Sequence, residues 1–444
     1  MTSVHSTPVG PSQGPEHVRA DVAVVGAGVV GLATAWELRR RGRSVVVVDP
    51  EPGSGASRAA AGMLAPVSEV QYQQEPLYPL MLASAAEYPR FVAELEEAAG
   101  GSVGHRATET LVCGVDAADR QALADLAGFQ RRHGMAVEQL PLRAARALEP
   151  ALSPRLSAAF RIPDDHQIDP RRLVAGLLAA LTAPRPPGSA ASPGAPARDG
   201  GPARLVHDRA VAVRRNADGA VTGVRLAGGG MVSAAGTVLS PGTGLQDLED
   251  LPGSWSPPLR PVHGDILRTR VPAGTPHLLE RTVRGLVHGI PVYLVPREDG
   301  TVVVGATSRE DDLPGPSAGG VFRLLRDAQA LVPGVADLEL VEVMARARPG
   351  TPDDIPYLGR VRDPDGAPVP GLVVSTGYFR HGVLLTPLAA RLAAQLVLGE
   401  GGPDPAADAG HLDTTDPHRF DPEAPTGHPQ PVASGPGAQN RSTP

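Results

Sequence analysis

The amino-acid sequence predicts a two-domain α/β protein, one domain opening on a βαβ unit and the other built on a more antiparallel sheet. Three observations point there. The chain has 444 residues, too many for one ordinary domain and comfortable for two. Its start alternates a short apolar strand, a helix and a β-branched strand. Its middle changes to strands paired around turn sequences, with helical spacing returning near the end.

Taken in order, Val22–Val25 reads as a strand and Gly31–Arg41 has helical spacing. Ser44–Val48 is a continuous β-branched run, as expected of a parallel strand buried on both faces. Residues 77–99 and 117–132 read as helices, and Asp169-Pro170 places a cap and an N1 proline before a helix over Arg171–Leu181. From 204 to 240 the pattern is hairpin-like: Arg204–Arg214, a turn at Asn216–Gly219, Val221–Leu226, then Thr237–Ser240. Tyr293–Arg297 and Thr301–Thr307 flank Glu298-Asp299-Gly300, a second hairpin signal. Residues 338–348 read as a strand and Leu384–Leu398 as a closing helix. The Pro/Gly-rich stretches 1–19, 183–203 and 423–444 cannot bury enough apolar surface to offset their ordering entropy, and read as flexible.

Composition excludes several chemistries. All 41 cationic residues are Arg, so no Lys Schiff base, Walker-type phosphate Lys, Lys nucleophile or Lys acid/base is available. The formal net charge of −7, with no long basic block, argues against a nucleic-acid ligand. Cys113 is alone, which excludes an intrachain disulfide and a multi-cysteine metal cluster and fits a reducing compartment. No stretch approaches the ~18 apolar residues of a membrane span, and the first twenty residues lack the pattern of a signal peptide. The expectation is a soluble, cytoplasmic protein without metal.

Gly26-Ala27-Gly28-Val29-Val30-Gly31 is a GxGxxG between the first strand and the first helix. Gly26 allows the tight turn, Gly28 lets a pyrophosphate approach the backbone, and Gly31 allows close helix–strand packing. The phosphates would sit at the helix N-terminus, where unpaired N–H groups and the helix dipole favour negative charge. Asp49 closes the second strand 21 residues after Gly28, where a carboxylate accepts from a ribose hydroxyl and disfavours a 2′-phosphate. FAD or NAD is therefore preferred to NADP. The small-residue run Gly53–Leu64 suits a backbone pressed against a flat ring system. Gly377–Leu385 sits just before a helix whose N–H groups can stabilise negative charge on a reduced flavin. Gly236–Gly244 is a third Gly-rich approach at a strand end.

These segments resemble the D-amino-acid oxidase superfamily of FAD enzymes and, within it, the glycine oxidases of the thiamine pathway. The matching stretches are GAGVVG, ASRAAAGMLAP (56–66), DHQIDPRRL (165–173), YLVPREDGTVVVGAT (293–307), RARPGTPDDIPYLG (346–359), GYFRHGVLLTP (377–387) and DPHRFDP (416–422). Tyr378 and His381 stand where His and Asn are commoner, and LSPGTG replaces a more usual AAGAWS-like run.

The resemblance implies a Rossmann-like FAD-binding domain over 20–84, 161–258 and 349–422, and an antiparallel-sheet substrate domain over 85–160 and 259–348. It implies glycine oxidation by hydride transfer from Cα to non-covalent FAD, with O2 as acceptor, supplying iminoglycine for thiazole formation. A homo-oligomer (a tetramer) and a hand-off to thiazole synthase follow from the same likeness. Arg348 would pair bidentately with the substrate carboxylate, with Arg380 and Tyr293 as further substrate-pocket residues, the latter a hydrogen-bonding wall. Implied cofactor contacts are Gly26, Gly28, Val29, Val30 and Gly31; Asp49 and Pro50; Ala56, Ser57, Ala61, Gly62 and Met63; Val211; and Tyr378, Phe379, Arg380, His381, Gly382, Val383 and Leu384. No acid/base residue is required, which suits histidines (His105, His133, His166, His263 and His288) that form no constellation. Rival readings are a D-amino-acid dehydrogenase, a sarcosine oxidase-like enzyme and, least favoured, a non-catalytic flavin-binding protein. Sarcosine oxidases use a Lys on the oxygen side of the flavin; this chain has none, and Ser308 lies in the region where such a group is sought.

Overall fold

The computed structural model describes residues 17–184 and 201–421; most of the three stretches read as flexible lies outside them. Residues 17–19 correct the first: they begin the strand His17–Val25, whose partners His17↔Met231 through Val25↔Leu239 run parallel.

That strand sits inside an eight-stranded sheet. Val45–Val48, the β-branched run, pairs with it on one side and Met231–Leu239 on the other, both parallel. Arg204–Val206 and Pro368–Thr376 extend the parallel part, while Tyr357–Arg362 and the hairpin Ala210–Arg215/Val221–Leu226 add antiparallel strands. The alternation of side chains decides what each face meets. Val22, Val24, Val45 and Val47 pack against the helices Val29–Arg40, Tyr78–Ala99, Pro170–Thr182 and Thr386–Leu398. Ala23, Val25, Val46 and Val48 face a second core with Leu245, Trp255 and Tyr357. A strand buried on both faces needs no polar alternation, which is why it reads as an unbroken apolar run.

The second sheet, also eight-stranded, is mostly antiparallel; its central strands are Arg260–Arg270, Thr301–Gly305, Ile290–Pro296 and Thr282–Val287, with Glu339–Gly350 at one edge. Ala158–Ile162 belongs here too, pairing with Thr110–Gly114 and Glu138–Leu140. Its back face carries Leu267, Leu294, Val302 and Val304 against the helix Ala318–Leu331. Its front face carries Ile266, Val295, Val303 and Met344 against Ala59 and Ala61 of the first unit. Buried Arg297 fastens this seam, donating to Gln167 Oε1 (2.9 Å), the Ile168 carbonyl (3.0 Å) and the Ala61 carbonyl. Cys113 is buried in this sheet, and burial pushes its thiol up to about 12, so it stays an un-ionised packing group. No helix of the described residues is long and apolar enough to cross a membrane.

Candidate active site

A cavity of about 510 Å³ lies along this seam, with Gly26 and Asp49 among the residues that line it at the first sheet and Tyr293 and Arg348 among those at the second. The first end is made of backbone. Gly26 has φ +98°, and a Cβ there would come within 2.2 Å of the Ser240 carbonyl oxygen. A Cβ on Gly31 would lie 2.0 Å from the Gly26 carbonyl oxygen; Gly31 therefore closes the turn from behind and does not line the cavity. Gly28 caps the helix Val29–Arg40, and the Val29 N–H donates to Ser57 Oγ at 3.1 Å. No acidic side chain occupies the first turn of that helix, so its unpaired N–H groups remain suited to an anion. Asp49 accepts from Ala27 N (2.7 Å) and Glu51 N (2.8 Å). A carboxylate has further lone pairs for a hydroxyl.

The middle of the cavity is lined by Ala56, Ser57 and Ala59 through Met63. Gly62 (φ +73°) lies so near its neighbours that a Cβ would sit 2.0 Å from the Ile168 carbonyl oxygen. Opposite it run Tyr378 through Leu384. The Phe379 N–H donates to the Pro349 carbonyl (2.9 Å), tying this loop to the strand that carries Arg348.

The far end is made of side chains. Cross-strand partners Met344, Ile266, Gly305, Tyr293 and Arg284 form one row across the second sheet, all on the face turned to the cavity. Two glycines create the room: a Cβ on Gly305 would lie 2.5 Å from the Tyr293 hydroxyl, and one on Gly264 would lie 2.3 Å from an Arg348 guanidinium nitrogen. Arg348 also donates to the Thr307 carbonyl (3.3 Å). Arg380 lies over the Phe379 ring, 4.7 Å from its centre. Burial raises the pKa of Tyr293 although Arg348 opposes it; the hydroxyl keeps its proton and remains a donor.

Glu69 and Arg284, which sequence reasoning passed over, form an ion pair in the cavity wall. Burial disfavours the Glu69 charge, but Arg284, His381 and Arg380 outweigh it and hold the carboxyl at about 2. His381 is brought down to about 4, chiefly by burial, and is neutral near pH 7. Arg346 also lines the cavity and donates to the Ser54 carbonyl (2.9 Å). Of the implied cofactor contacts, Gly31, Pro50 and Val211 do not line the cavity. Pro50 points to solvent. Val211 belongs to the hairpin strand Ala210–Arg215, where its carbonyl accepts from Glu249 N (2.9 Å).

The Gly26 turn, the open helix N-terminus, Asp49 and the narrow small-residue floor fit a dinucleotide whose ring system reaches the second sheet. This is the architecture of a two-domain dinucleotide-dependent oxidoreductase. Residues 21–396 match the family described as DAO, FAD dependent oxidoreductase, and the chain belongs to that family. Among curated relatives, the bifunctional protein ThiO/ThiG of Synechocystis sp. is 33% identical over 389 residues, covering 86% of this chain and 52% of that protein. The chain thus spans about half the length of such relatives. The glycine oxidase of Geobacillus kaustophilus is 34% identical over 386 residues, 85% of this chain and 93% of that one. A crystal structure of glycine oxidase from the same organism superposes with a TM-score of 0.74 at 32% identity, covering 87% of this chain and 96% of that one. The α/β two-domain fold and the FAD dependence expected from the sequence hold.

Proposed function

We propose that the protein oxidises glycine with O2 to iminoglycine and hydrogen peroxide, the imine then hydrolysing to glyoxylate and ammonia or entering thiazole formation. One observation carries the reading: a guanidinium and a phenol, Arg348 and Tyr293, share the end of the cavity opposite the dinucleotide fingerprint, each over a glycine. A guanidinium fork matches a carboxylate in charge and geometry, and the Tyr293 hydroxyl adds a donor. Arg380 contributes a second cation. Bound FAD supplies the two-electron acceptor. This chain's residues bind the carboxylate, orient Cα and exclude water. Relatives named glycine oxidase, Geobacillus kaustophilus among them, support the choice of glycine.

The lining residues from Gly26 to Met63 and from Tyr378 to Leu384 hold FAD. Residues 20–84, 161–258 and 349–422 act as the FAD-binding domain, and 85–160 with 259–348 as the substrate domain. A homo-oligomer and a hand-off to a thiazole synthase complete the reading, the latter supported by relatives whose names join ThiO and ThiG.

The test is to add glycine, sarcosine and D-alanine anaerobically to the purified flavoprotein and follow the visible flavin band. Glycine is expected to bleach it and, in air, to yield peroxide. No bleaching by any of the three overturns the reading. Bleaching without peroxide in air identifies a dehydrogenase instead, the alternative favoured by a cavity wall carrying Ser308 and no lysine.

A further inference from the structure

Glu69 shares a cavity with the guanidiniums of Arg284, Arg346, Arg348 and Arg380. It is placed from two directions. Its loop is fixed by buried Asp165, which accepts from Val67 N (3.0 Å) and Ser68 N (2.9 Å), and by Gln130, whose Nε2 donates to the Val67 carbonyl (2.9 Å). Its carboxylate is fixed by Arg284, which stands on the strand beside Tyr293 and also reaches the Met63 sulfur at 3.5 Å. Tyr293 and His381 line the same cavity, and the charge of Glu69 bears on both.

An amino-acid zwitterion presents a carboxylate and an ammonium. The guanidiniums are donors only and suit the first; the second is itself donor-only and needs an acceptor. Among the described residues lining the cavity, the carboxylates are Asp49 and Glu69, and Asp49 is bound to the backbone of the fingerprint turn. A largely buried ion pair contributes little to stability after desolvation, so stability alone does not account for the Glu69–Arg284 pair.

We propose that Glu69 accepts the substrate's amino group, with Arg284 as the positioning residue that holds the carboxylate in place, so that the cavity grips an amino acid at both ends. This rests on the amino-acid reading above and deepens it. The test uses the FAD-loaded enzyme and two probes: glycine, through the concentration dependence of anaerobic flavin reduction, and acetate, a carboxylate without an amine, through perturbation of the flavin spectrum. In Glu69→Gln, glycine is expected to bind about 10- to 100-fold more weakly, while acetate binds as in the wild type or more tightly. The double variant Glu69→Gln with Arg284→Met, which leaves no unpaired charge, is expected to keep the glycine defect. Equal loss of both probes makes Glu69 structural and overturns the proposal. So does glycine binding that is unchanged in Glu69→Gln, whatever happens to acetate. A wild-type flavin that glycine does not reduce overturns the parent reading together with this one; reduction in the wild type with either of the other two results overturns this one alone.

Discussion

The two ends of the cavity are built by different means. At the fingerprint end the site is backbone: a turn at Gly26, the N–H groups of one helix start, and a carboxylate 21 residues after Gly28. At the other end it is side chains, drawn from a loop at Glu69 and from strands at Arg284, Tyr293 and Arg348. A backbone site depends on local conformation, so contiguous residues specify it. A side-chain site depends on which strands become neighbours, and its members are scattered along the chain.

The contrast predicts different failures. Gly26→Ala puts a Cβ at φ +98° and 2.2 Å from the Ser240 carbonyl oxygen, a backbone clash that cannot be relieved by a rotamer. It is expected to cost about 3 kcal/mol or more of stability and to yield protein without flavin absorbance; a variant purified with full flavin content would refute the backbone account of that end. Arg348→Met is expected to retain flavin and folding but raise the KM for glycine about 100-fold, the ~3 kcal/mol expected when one partner of a buried charge pair is removed. An unchanged KM would take Arg348 out of the pocket.

This difference also explains what could be read from the sequence. The βαβ opening, the strand Val45–Val48, the hairpins and the closing helix follow from period and turn chemistry, and the GxGxxG with Asp49 followed from spacing. Arg348 and Tyr293 came from resemblance, since one Arg among 41 cationic residues carries no local signal. Glu69 and Arg284 escaped because nothing in their neighbourhood marks them; the register Arg284↔Tyr293↔Gly305 is what sets Arg284 beside Tyr293. Gly264 and Gly305 had a signal, a glycine inside a strand pattern, which marks a close approach. Val211 stands apart from the cavity lining, on a strand of the hairpin.

The Glu69 loop is the one part of the side-chain end that no strand carries, and its anchor has its own signature. Burial raises the Asp165 carboxyl from 3.8 to about 6, overriding the hydrogen bonds from Ser68 and Val67 that favour the charge. The folded protein then binds this proton more tightly than the unfolded chain does. The stabilisation is full below pH ~4 and is lost as pH rises through ~6. Wild type is expected to gain about 2 kcal/mol relative to Asp165→Asn between pH 7 and pH 4, measurable as the difference between their urea midpoints; a difference that does not vary with pH would discard the buried-carboxyl explanation.

The mildest perturbation separates the two ends most cleanly. Gly264→Ala removes no functional group and leaves no strained backbone. The added Cβ would lie 2.3 Å from the Arg348 guanidinium, the mobile end of a long side chain, so the guanidinium moves and the strand does not. Folding and flavin content are expected to stay within about 0.5 kcal/mol of wild type. The KM for glycine should still rise ~10-fold, because a carboxylate fork tolerates little displacement of its partner. A stability loss without a KM change would mean that the strand yields instead and that Gly264 serves packing. A KM change at constant stability would show that a glycine contributes to a side-chain site by what it leaves empty.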